Sequence, residues 1–521
     1  MMQLHAMETR SAKRKKIEQE QENNAKSKPL IDRISDLPDD IIHQILLLLP
    51  IKCVAQMSVL SKRWKFLWTS FPDLDFTTLD PFPLISTKNH KKIDISRHPL
   101  SSSKLDFITQ VLSIRDVKHK DIRVLCFRAS LSFSRLNNLV RSAIRHNVRE
   151  LDIEVHTEVD TEDFFNFPRC VIGSESLRVL KLKSGFRLPP SSVMRNGFQS
   201  LHTLSLSLVI LYNQPSLSDL FSESSFPRLK NLHLDMCFGL THLRIGCRAL
   251  EDLNLERCYE LQGLEICGGK IERMRVISCF DAYCDNNTWV RLNVPKLENL
   301  IWKFNAVTDV TVFENSNLLN EASIGFFMLR EGKVNMGRFE SANNFFSGLS
   351  HAHSLTLNTQ TIEILSKYKF IIQPFYNLKS LELHTSLNKS NVQALACLFR
   401  SCPTLHTFNL EIINDYKIER KLWNRDLWDM TSTEEEQYWE SQIPSLKSFL
   451  QHLKVVKIKG FLDCANEVTL VKFLLKHGKG LEEMRLCTGH SNRRDTLRRQ
   501  KIKSQMMGFS WASSNAKVEF Q

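Results

Sequence analysis

The chain has 521 residues, of which 42% are apolar and 24% charged, a composition typical of a globular protein with several domains. The longest purely apolar run, Ile45 to Leu49, is far too short to cross a bilayer, and the chain does not begin with an apolar signal-peptide core, so we expect a location in the nucleus and/or cytoplasm and no membrane partner. The net charge of +13 comes without a zinc finger, an RNP-type strand or a helix-turn-helix signature, which argues against a specific nucleic-acid partner.

Residues 1–29 are predicted to form a disordered basic tail, in which seven Lys and Arg residues stand against four Glu. Within it, Lys13, Arg14, Lys15 and Lys16 form the kind of basic run that nuclear localisation signals use. Such runs also arise in ordinary solvated tails, so both interpretations stay open.

The first strongly patterned segment is a predicted helix that starts near Pro38 and is stopped by Pro50. Ile41, Ile45 and Leu48 recur at i, i+4 and i+7 and therefore share one face of this helix. Two shorter helices are expected from about residue 51 to 59 and from about 60 to 68. The three helices carry more apolar surface than they can bury among themselves, so they need a partner in the same chain or in another one.

Residues 31–76 resemble an F-box, a three-helix motif that docks onto a Skp-type adaptor of a cullin ubiquitin ligase. The resemblance rests on these pairs and runs: Leu37-Pro38, Ile45-Leu46, Leu49-Pro50, Val59 to Trp64, and Leu67-Trp68. It implies that the following residues hold the adaptor: Leu37, Pro38, Ile41, Ile45, Leu49, Val59 and Trp64. The alternative is a helical cap on the domain that follows.

After a linker or start of the solenoid at 77–120, residues 121–415 are predicted to form leucine-rich repeats, with one short strand in each turn of a solenoid. Leu-x-x-Leu-x-Leu units start at 177, 201, 229, 250, 271, 297, 378 and 405. A degenerate unit at 354–357 partly fills the long interval between 297 and 378. The repeat count in that interval stays open.

Between 229 and 287 the units start 21 residues apart, and half-step copies at 240–245 and 261–266 lie between them. Half-turns this short leave little room for a helix, so extended structure is predicted on both faces. Cys237, Cys258 and Cys279 share the same spacing and are predicted to be turn residues, where such repeats use Asn or Cys. Ligands one repeat apart would form a ladder and not a tetrahedral cluster, so neither zinc nor another cofactor is predicted.

The C-terminal region 446–521 is predicted to hold a strand near 453–461, an amphipathic helix near 468–477 and a strand near 481–486. This block is similar to the FBD domain of plant proteins that join an F-box to leucine-rich repeats. The same residues also fit one more repeat. The expected fold is therefore α/β: a three-helix F-box, a repeat solenoid and a strand-helix-strand end.

Side chains between the inward leucines are expected to face a concave surface. The predicted substrate-binding residues there are His233, Asp235, Asn254, Glu256 and Arg275, with Trp302 as an aromatic anchor. The alternative is that these are merely solvated strand positions.

No phosphate loop, nucleophile elbow or zinc-protease motif is present, which argues against an enzyme. The predicted function is that of a non-catalytic substrate-recognition subunit of a cullin-RING (SCF-type) ubiquitin ligase, whose partners are a Skp-type adaptor, through it a cullin, and a protein substrate. The alternatives are a repeat scaffold outside any ligase and an F-box receptor for a small molecule.

Overall fold

A computed structural model describes residues 34, 36–49, 51–77, 108–113, 115, 121–156, 165–210, 220–281, 287–314, 316–327, 336–367, 373–387, 389–413, 432–461, 465–487, 500, 503–504 and 506–520. The predicted basic tail with Lys13 to Lys16 lies outside these residues, as does most of the segment 77–120.

Three short helices open the described chain: α1 (Asp39–Leu47), α2 (Ile51–Met57) and α3 (Lys62–Ser70). Asp39 and Asp40 stand in the first turn of α1, where the positive end of the helix dipole favours them. The Ser61 hydroxyl caps α3 by accepting a 3.3 Å hydrogen bond from the Trp64 backbone N–H. The helices therefore lie close to the predicted positions and begin with ordinary capping chemistry.

A 17-stranded sheet, here called the main sheet, runs through the rest of the molecule. Its strands pair in parallel and largely in chain order: β1 (Asp73–Asp75), β2 (Val124–Ser130), β3 (Glu150–His156), β4 (Phe165–Asn166), β5 (Val179–Arg187), β6 (Thr203–Ile210), β8 (Asn231–Asp235), β10 (Asp252–Glu256), β12 (Arg273–Ile277), β14 (Asn299–Ala306), β16 (Glu321–Phe327), β17 (Ser354–Asn358), β18 (Ser380–Thr385), β19 (Thr407–Ile412), β20 (Val455–Lys459), β21 (Glu483–Cys487) and β22 (Lys517–Phe520). β4 is a short addition that pairs alongside β5.

Each repeat buries three apolar side chains, two of them on its strand and one just before it. In the repeat of β8 these are Leu229, Leu232 and Leu234, each at most 2% exposed. The pairing keeps such residues in rows, so that Leu232 lies beside Leu253 and Leu253 beside Met274. Burying one such side chain contributes about 1.5–3 kcal/mol, and the rows form one continuous core.

A second, five-stranded parallel sheet forms from the half-step segments. Its strands are β7 (Phe221–Ser222), β9 (His242–Gly246), β11 (Gly263–Cys267), β13 (Trp289–Asn293) and β15 (Val310–Glu314). Leu243 and Ile245, with Leu264 and Ile266 in the next repeat, are at most 1% exposed and belong to the same core as the main-sheet leucines. The prediction of extended structure on both faces is confirmed here.

Helices take the place of the second sheet in the remaining repeats: α4 (Phe133–Arg145), α5 (Ser191–Met194), α6 (Met336–Gly348), α7 (Thr359–Lys367), α8 (Lys389–Ser401), α9 (Ser432–His452) and α10 (Ala465–His477). β20, α10 and β21 form the expected strand-helix-strand block, and β20 pairs with β19, so the main sheet continues into it without a break. The predicted α/β architecture is confirmed. In the part of the chain that is described, no helix combines the length and the apolar character that crossing a membrane requires.

A residue with a left-handed backbone directly follows β8, β10 and β12, and one lies within each of β6 and β14. The φ angles of these residues lie between 52° and 59°, and the residues are Leu208, Met236, Arg257, Ser278 and Phe304. The positions that follow the last four of them are Cys237, Cys258, Cys279 and Asn305, all at most 3% exposed. Asn305 occupies the position in its repeat that a cysteine occupies in the other three, which supports the interpretation of this position as the Asn-or-Cys position of such repeats.

Candidate binding surfaces

The three N-terminal helices expose an unusual amount of apolar surface. Eight of the 18 exposed large apolar side chains in the described residues lie between positions 34 and 66: Ile34, Ile41, Ile45, Leu47, Leu48, Val59, Leu60 and Phe66. We call this set the apolar helical surface. An exposed apolar concentration of this kind is typical of surfaces that contact another molecule.

The predicted adaptor residues divide into two groups. Pro38, Ile41, Ile45 and Val59 are exposed, and Val59 is 86% accessible. Leu37 and Leu49 are half-buried and pack against the core. The prediction of Trp64 as a direct contact is wrong, because this indole is only 8% exposed and is packed into the core of the chain.

Two residues outside the predicted adaptor-binding set are more accessible than most of its members. Leu48 is 85% exposed just after α1, and Leu60 is 70% exposed in the turn before α3. The i, i+4, i+7 spacing of Ile41, Ile45 and Leu48 was the signal that could have identified Leu48.

Arg63 joins the beginning of α1 to α3. Its Nε and Nη2 atoms donate to Asp39 Oδ1 at 2.9 and 2.6 Å, and Nη2 also donates to the Leu37 carbonyl oxygen. Both charged side chains are substantially exposed, so the pair contributes at most about 1 kcal/mol. The pair links the beginning of α1 to α3 within the region that carries the apolar helical surface.

The helices are continuous with the solenoid. Phe71 follows α3 and is buried, and β1 then pairs in parallel with β2. The Arg123 backbone N–H donates to the Pro72 carbonyl oxygen at 2.9 Å. The apolar helical surface is therefore anchored to the main sheet through both backbone pairing and a shared core.

The second surface is the front face of the main sheet, the side on which the strand residues between the buried ones lie. A groove of 330 Å³ crosses β6, β8, β10, β12 and β14 on this sheet. Three predicted substrate residues, His233, Asn254 and Arg275, line it. They are half-buried or exposed and stand in one row across three neighbouring strands.

The two predicted acidic residues are occupied by neighbours. Asp235 is 8% exposed and accepts from Arg257 Nε at 2.8 Å and from Arg257 Nη2 at 2.6 Å. Glu256 accepts from Asn254 Nδ2 at 3.0 Å and pairs with Arg275 Nε at the same distance. Neither carboxylate lines the groove, and a target would have to displace an arginine to reach it.

The prediction of Trp302 as an aromatic anchor is wrong. Trp302 is 1% exposed, and its ring lies 5.7 Å from that of Phe280 and 5.2 Å from that of Phe345. The physical reason is that Trp302 occupies the last inward position of its Leu-x-x-Leu-x-Leu unit. The accessible aromatic nearby is Phe304, which is 59% exposed at a left-handed position.

One trio of possible metal ligands lies among the described residues, with ligand atoms within 4.8 Å of one another: Glu382, His384 and Glu411. It contains no cysteine. His384 Nε2 lies 3.2 Å from Glu382 Oε1, and Nδ1 lies 3.5 Å from Glu411 Oε2. Both ring nitrogens thus lie close to a carboxylate, and these contacts account for the close approach of the three side chains.

Three N-terminal helices with an exposed apolar surface, followed by a parallel repeat solenoid, define the class of F-box proteins with leucine-rich repeats. The F-box domain family model matches residues 34–75, and a second model, described as At1g61320/AtMIF1, LRR domain, matches residues 108–281 and 246–514.

Comparison with curated proteins places the chain more narrowly. A putative F-box/FBD/LRR-repeat protein of Arabidopsis thaliana, At4g03220, is 47% identical over 99% of this chain and 100% of its own length. The Arabidopsis F-box/FBD/LRR-repeat protein At1g13780 is 23% identical over 90% of this chain and 94% of its own. The putative F-box protein At1g58310, also from Arabidopsis, is 26% identical over 72% of each. The chain belongs to the family of plant F-box/FBD/LRR-repeat proteins.

Proposed function

We propose that this chain is the substrate-recognition subunit of a cullin-RING (SCF-type) E3 ubiquitin ligase. The F-box, the repeats and the names of the F-box/LRR relatives support the role of a non-catalytic substrate receptor. The observation that carries the proposal is the apolar helical surface, which leaves Ile41, Ile45 and Val59 open to solvent. We expect this activity in the nucleus and/or the cytoplasm.

The mechanism is one of positioning. The apolar helical surface binds a Skp-type adaptor, which F-box domains generally bind, and the adaptor connects it to a cullin. The solenoid is anchored to the helices by β1 and β2, so a target held on the main sheet has a defined position relative to the adaptor. Holding the target's lysines near a conjugating enzyme raises their effective concentration, which is the gain that a scaffold supplies.

For the target site we propose the groove on the front face, with His233, Asn254 and Arg275 as its polar contacts. These side chains offer an imidazole, an amide and a guanidinium, although Asn254 Nδ2 and Arg275 Nε each already contact Glu256. Asn231 and Asn299 in the same groove add further amides. A groove of this size admits one extended segment of a target, held by hydrogen bonds along neighbouring strands. Phe304, in the region where Trp302 had been expected to serve, adds an exposed aromatic ring.

Affinity purification with mass spectrometry under proteasome inhibition tests both parts together. We expect the wild-type chain to capture a Skp-type adaptor, a cullin and ubiquitinated targets. The Asn254→Ala/Arg275→Ala variant should keep the adaptor and lose targets, because both changes lie in the groove. Arg291→Ala is the matched control, since Arg291 is an exposed strand arginine on the second sheet.

The outcomes separate the alternatives. Capture of targets without any adaptor would favour a repeat scaffold outside a ligase. Targets that remain bound to the groove variant would place the substrate site elsewhere on the solenoid.

A further inference from the structure

A cavity of 520 Å³ lies apart from both binding surfaces, between α4, the 3₁₀ turn Arg169–Val171 and the end of β5. Three arginines from these three elements line it: Arg141, Arg169 and Arg187. All three are exposed at this edge of the repeats. The chain segments are held together locally, since the Phe167 backbone N–H donates to the Arg187 carbonyl oxygen at 3.1 Å.

The described lining of this cavity contains three arginines and no Asp or Glu. Among the residues that the structure describes, neither Arg141 nor Arg169 has an ion-pair partner. Arginines on the sheets differ in this respect, because Arg257 is paired with Asp235 and Arg273 with Asp252. The unpaired guanidinium groups of Arg141 and Arg169 both line this concave space, and such an arrangement favours an anion.

The rest of the lining suits an organic anion. Asn137 and Arg141 stand one helical turn apart on α4 and so face the cavity together, and Asn166 adds a second amide that can donate hydrogen bonds. Phe133 and Leu188 supply apolar wall. The volume lies within the range of about 300–1,000 Å³ that small-molecule sites occupy.

We infer that this cavity binds a phosphomonoester, with Arg141 and Arg169 as the groups that hold its phosphate. A phosphomonoester carries about −1.5 to −2 charges near neutral pH, which matches two guanidinium groups better than the single charge of a carboxylate does. The planar guanidinium fork also fits phosphate oxygens in pairs. The phosphate can belong to a free metabolite or to a phosphorylated side chain of a protein, and the apolar wall receives the group that carries it.

Calorimetric titration of the purified 521-residue chain tests this site with phenyl phosphate, a phosphoserine peptide and benzoate as probes. We expect saturable binding of at least one phosphate probe, tighter at pH 7.5 than at pH 5, because the second phosphate proton is lost near pH 6. Arg141→Gln with Arg169→Gln should weaken binding by about tenfold or more, as expected for lost charge-assisted hydrogen bonds. Arg135→Gln, an exposed arginine of α4 outside the cavity, should bind like the wild type.

Cys170 provides a second readout, since it lines the cavity and is half-buried. Burial raises the pKa of its thiol, and the nearby Arg141 guanidinium acts in the opposite direction. A bound phosphate should therefore slow alkylation of Cys170 while leaving that of the exposed Cys267 unchanged.

Binding of phenyl phosphate but not of the peptide would favour a small organic phosphate, and binding of the peptide alone would favour a phosphorylated protein as the source. The inference is overturned if neither phosphate probe binds more tightly than benzoate, or if the double variant binds as well as the wild type. If the double variant does not fold, slower alkylation of Cys170 in the wild-type chain with phosphate present still tests the site.

Discussion

The backbone N–H of Cys279 donates a 2.8 Å hydrogen bond to Asn305 Oδ1, which joins the turns of two neighbouring repeats. Asn305 is fully buried, and its Oδ1 atom also accepts from the Phe280 backbone N–H at 3.2 Å. Its Nδ2 atom donates to the Val276 carbonyl oxygen at 2.9 Å. One asparagine thus satisfies three backbone groups that the turns would otherwise leave without partners in the core.

Replacing Asn305 with Ala should therefore destabilise the solenoid. Each buried backbone group left unsatisfied costs about 1–3 kcal/mol, so we expect a total loss of about 3 kcal/mol or more. Urea unfolding followed by circular dichroism measures this change. Asn320→Ala removes an exposed amide in the next repeat and should change stability by less than about 0.5 kcal/mol. Equal stability of the two variants would contradict the role assigned to Asn305.

Trp64 offers a test that separates folding from adaptor contact within the F-box. Trp64→Ala removes a buried indole and should destabilise the helical region by about 3–5 kcal/mol. Val59→Ala removes an exposed side chain and should leave thermal unfolding nearly unchanged. Limited proteolysis near residues 51–70 reports on this difference. A Trp64→Ala chain that resists protease like the wild type would show that the indole is not part of the core.

Glu435 gives a prediction for the pH dependence of stability. Burial raises the pKa of its carboxyl group from 4.5 to about 7, although the Trp439 indole N–H, which donates to it at 3.3 Å, acts in the opposite direction. Because the folded-state pKa lies above the unfolded value, the contribution of Glu435 to stability is complete below about pH 4.5. It is lost as the pH rises through about 7.

Glu435→Gln keeps the acceptor for Trp439 but cannot ionise, so it should stabilise the chain by about 2 kcal/mol at pH 8.5 and by much less at pH 5. Melting temperatures of wild type and variant at the two pH values measure the difference. Glu434→Gln is the matched control, because Glu434 is exposed in the same turn of α9. A stabilisation that does not change between the two pH values would exclude ionisation of Glu435 as its cause.

Periodicity predicted many of the main-sheet strands and the extended half-turns at β9 and β11, because a buried side chain at each of three fixed positions leaves a pattern in the sequence. Repeats that use apolar residues other than leucine at these positions do not show the Leu-x-x-Leu-x-Leu pattern. Two such repeats bury the same three positions with other apolar residues: Ile122-x-x-Leu125-x-Phe127 and Leu319-x-x-Ala322-x-Ile324. In each, the first residue lies just before its main-sheet strand, β2 or β16, and the other two lie on it. A pattern that accepts any apolar residue would have found the repeat at β16 inside the interval that stayed open.

The sites were less predictable, since they depend on contacts between residues far apart in the chain. Arg257 lies beyond the end of its own strand, yet it turns back to cover Asp235 in the preceding repeat. No spacing rule shows that contact. The burial of Trp64 depends likewise on how α3 packs into the core. The cavity around Arg141 and Arg169 joins elements that are about 30 residues apart, and only the fold brings them together.

The most direct test of the account is the binding of a purified Skp-type adaptor to this chain, measured by calorimetry for wild type and two double variants. Ile41→Ala/Ile45→Ala removes two exposed side chains from one face of α1, and each truncation should cost more than about 1 kcal/mol of binding free energy. Val310→Ala/Val312→Ala makes the same kind of change on the exposed strand β15 and serves as the control. If the apolar helical surface binds the adaptor, the wild-type chain should bind one adaptor per chain. The α1 variant should bind it at least about tenfold more weakly, and the control variant should bind it as tightly as the wild type does. A wild-type chain that does not bind the adaptor, or an α1 variant that binds it as tightly as the control does, would contradict the account.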